Sequence, residues 1–244
     1  MTFRSLTALL IAFGSAAALT ACNPNPADEV PAAVDPASQA PTVESAPVEA
    51  PTEAAPADAA PAEGAAVALP AGEFPLSGNV QFGASKVTRN HTVVFKSWEG
   101  GYKSDGTAVG TTLNFTVDIA SLEVDNGQSE MLQKHLQTPD FFDVAKFPTA
   151  SFASTSIVEG VDSTLFQNAE GATHTVTGTL DIHGKQKEVS FPITVTNDGA
   201  GNVSAKAKFS VNRQDFDIKY PGKPDDLVRD EVIIEVDVTA ATAG

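Results

Sequence analysis

"HTVTGTLDIHGKQKEVSFPITV", His174 to Val195, alternates apolar and polar residues over two runs. Val176, Gly178, Leu180 and Ile182 share one face of the first run, and Val189, Phe191, Ile193 and Val195 share one face of the second. A period of two sets one side of an extended chain against a core and the other in water. His183-Gly184-Lys185 between the runs is turn chemistry, so the stretch is a β-hairpin. Pro192 falls on the polar face and has no amide hydrogen to offer a neighbour, which marks an edge or bulge where sheet closure is imperfect.

The same alternation recurs on both sides of the hairpin. "TTLNFTVDIASLEV" aligns Leu113, Phe115, Val117 and Ile119. "VSAKAKFSV" aligns Val203, Ala205, Ala207, Phe209 and Val211 opposite Lys206 and Lys208, and "EVIIEVDVT" aligns Val232, Ile234, Val236 and Val238. "NVQFGASKV", "HTVVFKSW" and "TASFASTSI" show the pattern less strictly, for eight strands in all. Short connections and an absence of alternating helices argue for an all-β fold, an antiparallel sheet wrapped on itself. Eight strands make a barrel that is either filled by its own side chains or holds one slender ligand.

Composition divides the rest of the chain. Asn23 to Gly72 holds 17 Ala and 10 Pro, eight acids, and no aromatic, Lys or Arg. Proline at this spacing stops helix propagation, and scattered methyl groups offset little chain entropy, so the segment reads as a disordered linker that adds nothing to domain stability. The chain carries a net charge of −16. An acidic domain behind an acidic linker lacks the clustered Lys and Arg that phosphate contacts need, which excludes nucleic acid as a partner.

The first residues form a leader. Arg4 precedes the apolar run "LTALLIAFGSAAAL", which is short for a bilayer span. The run ends in Leu19-Thr20-Ala21-Cys22, and Cys22 is the only cysteine in the chain. These four residues resemble the lipobox of bacterial lipoproteins. The resemblance implies cleavage before Cys22, acylation of its thiol and a membrane reached through that anchor, on the periplasmic side of the envelope. Asn23 is not the Asp associated with inner-membrane retention, so the outer membrane is preferred. The expected division is a signal peptide at 1–21, the lipidated Cys and linker at 22–72, and the barrel at 73–244. A single Cys also excludes a disulfide framework.

One segment breaks the β pattern. "SEMLQKHLQTPDFF" places Met131, Leu132, His135 and Leu136 at helical spacing, a short amphipathic helix with its inner face toward the barrel. Phe141, Phe142 and Phe147 then supply rings expected to point into one end. Adjacent Phe141 and Phe142 are expected to split, one into the core and one toward a tunnel.

"KHLQTPDFFDVAKFPTASFAST", "VTGTLDIHGKQKEVSFPITV" and "NRQDFDI" together resemble the YceI family of bacterial secreted proteins. The resemblance spans about Val80 to Thr239. It implies a lipocalin-like eight-stranded barrel with a short capping helix, whose hydrophobic tunnel takes a long isoprenoid, quinone or fatty amide and which has no catalytic residues. The family often carries charged residues around the His-Leu of the helix, where this chain has Leu132, Gln133 and Gln137.

The expected tunnel lining is Leu113, Phe115, Val117, Phe141, Phe142 and Phe152, with Leu180, Phe191, Ile193 and Phe209 on later strands. His135 is either a hydrogen-bonded core histidine or a head-group contact. The small inward residues Gly178, Ala205 and Ala207 leave room along the axis. The four histidines show no metal-ligand spacing, and no metal is expected. No nucleophile motif occurs, so the chain reads as a non-enzyme whose partner is a lipid-like small molecule, with homodimerisation open. The competing reading is a solid barrel serving as a structural or stress-tolerance interaction module without a ligand.

Overall fold

The computed structural model describes residues 24–39, 71–106, 110–198 and 202–241. Cys22, the leader and most of the linker lie outside these residues. The strands are β1 (Gly72–Lys86), β2 (Arg89–Phe95), β3 (Trp98–Ser104), β4 (Thr112–Asp118), β5 (Leu122–Val124), β6 (Thr149–Glu159) and β7 (His174–Ile182). They continue as β8 (Lys185–Asn197), β9 (Asn202–Asn212), β10 (Gly222–Lys223), β11 (Asp226–Leu227) and β12 (Glu231–Ala241), with one α-helix, α1 (Glu130–Leu136).

The sheet closes into an eight-stranded antiparallel barrel because β1 pairs with β3 and β2 along one edge and with β12 along the other. β2 and β3 form one long stave broken at Lys96-Ser97, and β4 and β5 form a second broken at Ile119–Ser121. Ser121 Oγ accepts from the Ser97 amide at 2.9 Å, so the two breaks satisfy each other. The β7–β8 hairpin turns on His183 (φ 54°) and Gly184 (φ 69°), the two left-handed residues of a type I′ turn. A Cβ on Gly184 would also meet the Phe147 ring at 2.6 Å.

Inward residues of β7 are buried and their neighbours half-exposed, as the alternation requires. β8 departs from it: Ser190 and Pro192 are buried on the outer face. The cause is the start of the segment read from sequence as free linker, and that reading is corrected for residues 24–39. Asn25 caps a 3-10 turn at Pro26–Glu29, and Ala27 is buried. The following residues enter the barrel wall. Val34 exchanges backbone hydrogen bonds with Ser190 on β8, at 2.9 and 2.8 Å. On its opposite edge the Ala33 amide donates to Ser210 O of β9, and the Ser210 amide donates to Pro31 O, each at 2.8 Å. β8 and β9 bond one another directly only over Ile193–Asn197 and Val203–Ala207. Above Pro192, which has no amide to bridge the gap, the strands part and residues 31–34 fill the space as a short strap. The imperfect closure expected from Pro192 therefore exists, and the chain's own N-terminal segment fills it.

Candidate functional site

Two covers close the upper end of the barrel. One is α1 with residues 137–148, and the other is residues 213–230, which hold the β10–β11 hairpin. They meet where the His135 ring lies 5.0 Å from both Phe141 and Tyr220, edge-on to each. His135 Nε2 lies 3.0 Å from Asp140 Oδ2, near the surface. His135 is hydrogen-bonded but half-buried, not in the core: it clamps the two covers together and does not border the cavity. Gln137, at a position often charged in the family, ties its cover to the wall by donating to Ala120 O at 3.2 Å.

Arg213 secures the second cover. Its guanidinium is buried, and burial pulls its pKa below the ordinary value while Asp230 opposes the shift. Nε donates to Arg229 O at 3.0 Å, Nη1 to Ile218 O at 2.5 Å, and Nη2 to Asp230 Oδ1 at 2.9 Å. These bonds gather both ends of the loop around one cation. The sequence carried no signal for this beyond the Arg itself, because its partners are main-chain carbonyls.

The lower end is filled. Phe74 stacks on Tyr102, and Ile157, Val176, Val195 and Val203 complete the plug. Burial raises the Tyr102 phenol pKa, against hydrogen bonds to Ser104 and Thr111. Between plug and covers runs an apolar cavity of about 180 Å³. Leu113, Phe115, Val117, Phe141, Phe142, Phe152, Leu180, Phe191, Ile193 and Phe209 all border it. Ten of the eleven residues singled out from the sequence therefore stand on one wall, and His135 does not. Phe82, Phe95, Ile119, Phe216 and Ile218 also border it. Phe82 and Phe95 lie in weakly patterned strands, Ile119 continues the alternation of Leu113, Phe115 and Val117, and Phe216 and Ile218 lie in a 3-10 turn and the cover loop, where period-two reading fails.

Three finer expectations change. Phe141 and Phe142 both face the cavity: Phe141 packs on Tyr220, and Phe142 meets Phe82 at 5.6 Å. The segment is a series of tight turns with Asp143 at φ 44°, not a strand or regular helix, so neighbours need not diverge. Phe147 does not border the cavity and meets His183 edge-on at 4.6 Å beside the β7–β8 turn. Gly178 leaves no free room, because the Phe152 ring occupies the place of its missing Cβ at 2.6 Å. Ala205 and Ala207 do border the cavity.

The remaining histidines have structural partners. His91 Nδ1 lies 2.7 Å from Asp125 Oδ2. Burial would raise the Asp125 carboxyl, but bonds from His91, Ser129 and Thr92 hold it below the usual range. His183 Nδ1 lies 3.2 Å from Phe216 O. His174 is 2% exposed beside Thr173, and burial lowers its pKa while Glu159 opposes the shift.

Residues 75–240 match a family described as YceI-like domain. The chain is 34% identical over 146 residues to a UPF0312 protein of Pseudomonas fluorescens (strain SBW25), covering 58% of this chain and 70% of that one. It is 30% identical, with the same coverage, to a UPF0312 protein of Pseudomonas putida. Among solved structures, Burkholderia cenocepacia BcnA aligns with a TM-score of 0.55 and 26% identity, covering 66% of this chain and 96% of that one. A polyisoprenoid binding domain from Saccharophagus degradans shares the fold, with a TM-score of 0.52, 16% identity and coverage of 70% and 98%.

Proposed function

This chain belongs to the YceI-like family, and from that membership and its cavity we propose that it is a binding protein. Its barrel holds the chain of a long apolar amphiphile, a polyisoprenoid, quinone or fatty-acid derivative. The observation that carries the reading is an internal cavity walled by rings and aliphatic side chains along the barrel axis. Natural cores seldom leave such space, because each void forfeits dispersion contacts. At about 30 Å³ per water-sized group, 180 Å³ takes about six such groups, the bulk of one short chain segment. Burying each methylene contributes about 0.8 kcal/mol, so a six-carbon segment gains roughly 5 kcal/mol before the cost of immobilising it. The polar head group then belongs at the surface, outside an apolar wall. The Saccharophagus degradans domain that shares this fold is described as polyisoprenoid binding, which supports the reading.

The protein works at a membrane in this reading. Cys22 within Leu19-Thr20-Ala21-Cys22 is the acyl-bearing residue, and the periplasmic face of the outer membrane is the site. Two or more acyl chains give stable anchoring. Replacing Cys22 with Ser should release the protein from carbonate-washed membranes; an unchanged membrane fraction would refute the anchor. For the cavity, mass spectrometry of organic extracts from the purified protein should find one apolar chain molecule per barrel. Repeated absence of any lipid, together with no saturable uptake of a C12–C16 fatty-acid probe, would favour the solid, ligand-free module.

A further inference from the structure

Both ends of the barrel are covered in the described residues, one by the Tyr102 plug and one by α1 with the 213–230 loop. The cavity is only partly enclosed, and an apolar chain enters through a portal in its wall. We propose that the seam between β8 and β9 is that portal, and that residues 31–34 are its removable cover. The proposal rests on the reading of the cavity as a chain-binding site.

Four observations place the portal here. The strap comes from outside the matched domain, which starts at residue 75, and more than thirty residues separate it from β1. It is joined to the wall by four backbone hydrogen bonds, two to Ser190 and two to Ser210. Its Pro31-Ala32-Ala33-Val34 side chains carry no polar group, so no side-chain bond has to break for it to leave. Directly behind it, Phe191 and Phe209 border the cavity and stack on each other with centroids 3.9 Å apart.

The dimensions agree. A strap between two strands holds them about 10 Å apart, two strand spacings. Its departure opens a slot about one extended chain wide, floored by the stacked Phe191–Phe209 pair, which a chain must part to reach the cavity. That width admits a single acyl or prenyl chain and excludes bulkier apolar molecules. Its departure breaks none of the direct bonds between β8 and β9, which run only over Ile193–Asn197 and Val203–Ala207. In the acyl-anchored form proposed above, Pro31 lies nine residues after Cys22, within about 30 Å of the bilayer when extended. The strap therefore draws the portal toward the lipid that would supply the chain.

A reversible lock tests this. Val34 and Ser190 are a hydrogen-bonded antiparallel pair, whose Cα separation of about 5.5 Å suits a disulfide. In the full mature chain carrying Cys22→Ser, Val34→Cys with Ser190→Cys would be oxidised, and uptake of 11-(dansylamino)undecanoic acid followed by stopped-flow fluorescence. The oxidised protein should take up the probe at least tenfold more slowly than the same sample after reduction. Val34→Pro, which removes the donor to Ser190, should take it up several-fold faster than the parent. Equal rates in the oxidised and reduced states, or an unchanged rate for Val34→Pro, would show that the chain passes elsewhere and overturn the portal while leaving the binding reading intact. No saturable signal in the parent itself would end both.

Discussion

His174 shows how much one buried group reports about the barrel. It occupies an inward position at the lower end of β7 and is held below its ordinary pKa by burial. In the unfolded chain an ordinary histidine takes up a proton near pH 6.5, whereas the folded one resists. The unfolded state then binds more protons, so this group's contribution is full above about pH 6.5 and lost as pH falls toward the folded value. Chemical denaturation of His174→Gln between pH 7 and 5 should give a flatter stability profile than the parent, even if its stability at pH 7 is lower. Identical slopes would mean that His174 titrates normally in the fold. A second residue separates an open cavity from a solid core. Ala207 borders the cavity, so Ala207→Phe should keep the melting temperature within a few degrees while weakening probe binding at least tenfold. In a filled core the same change would cost about 1–3 kcal/mol in overpacking, and a matching drop in melting temperature would refute the cavity.

At the scale of elements, the covers and the strap differ in how they are held. The 213–230 cover depends on Arg213, whose donors serve three carbonyls and Asp230. Arg213→Met retains the apolar stem but leaves those carbonyls buried without donors, an expected loss of about 3 kcal/mol. Equilibrium urea unfolding would measure it, and a loss under 1 kcal/mol would show that solvent replaces the guanidinium. The strap has no such keystone. To stay docked ninety-nine parts in a hundred it must contribute about 2.7 kcal/mol, within reach of four backbone bonds at about 1 kcal/mol each. Deleting residues 24–39 should lower the melting temperature by about 5–15 °C. An unchanged transition would return the whole segment to the status of free linker.

Across the whole molecule, closure follows from β1. Its 15 residues pair with the broken β2–β3 stave on one side and with the last strand on the other. First and last elements therefore meet, and the barrel is complete only when the chain is. The outward faces carry cross-strand ion pairs such as Lys206–Asp237 and Lys208–Glu235. At these exposures they are solvated charges of small energetic value. The apolar cavity and the acidic exterior assign opposite solvents to the two sides of one sheet.

Alternation alone was sufficient to find the eight staves and to put ten residues on a common wall, because a strand's side-chain period is local and survives any placement of the strand. Val189 and Phe191 could be placed facing inward before any neighbour was known. Pro192 likewise announced a fault in the wall, since a missing amide is a property of the residue itself. What filled the fault was not legible. The Pro31–Val34 strap has no periodicity and no aromatic anchor, and it docks through main-chain groups that every residue shares. The His135 clamp and the Arg213 hub were hidden for the same reason: their partners, Tyr220 and a set of carbonyls, come from loops whose course is set by packing. Local pattern specifies which way a side chain faces, whereas long-range contacts, which depend on how the barrel closes, specify what it meets.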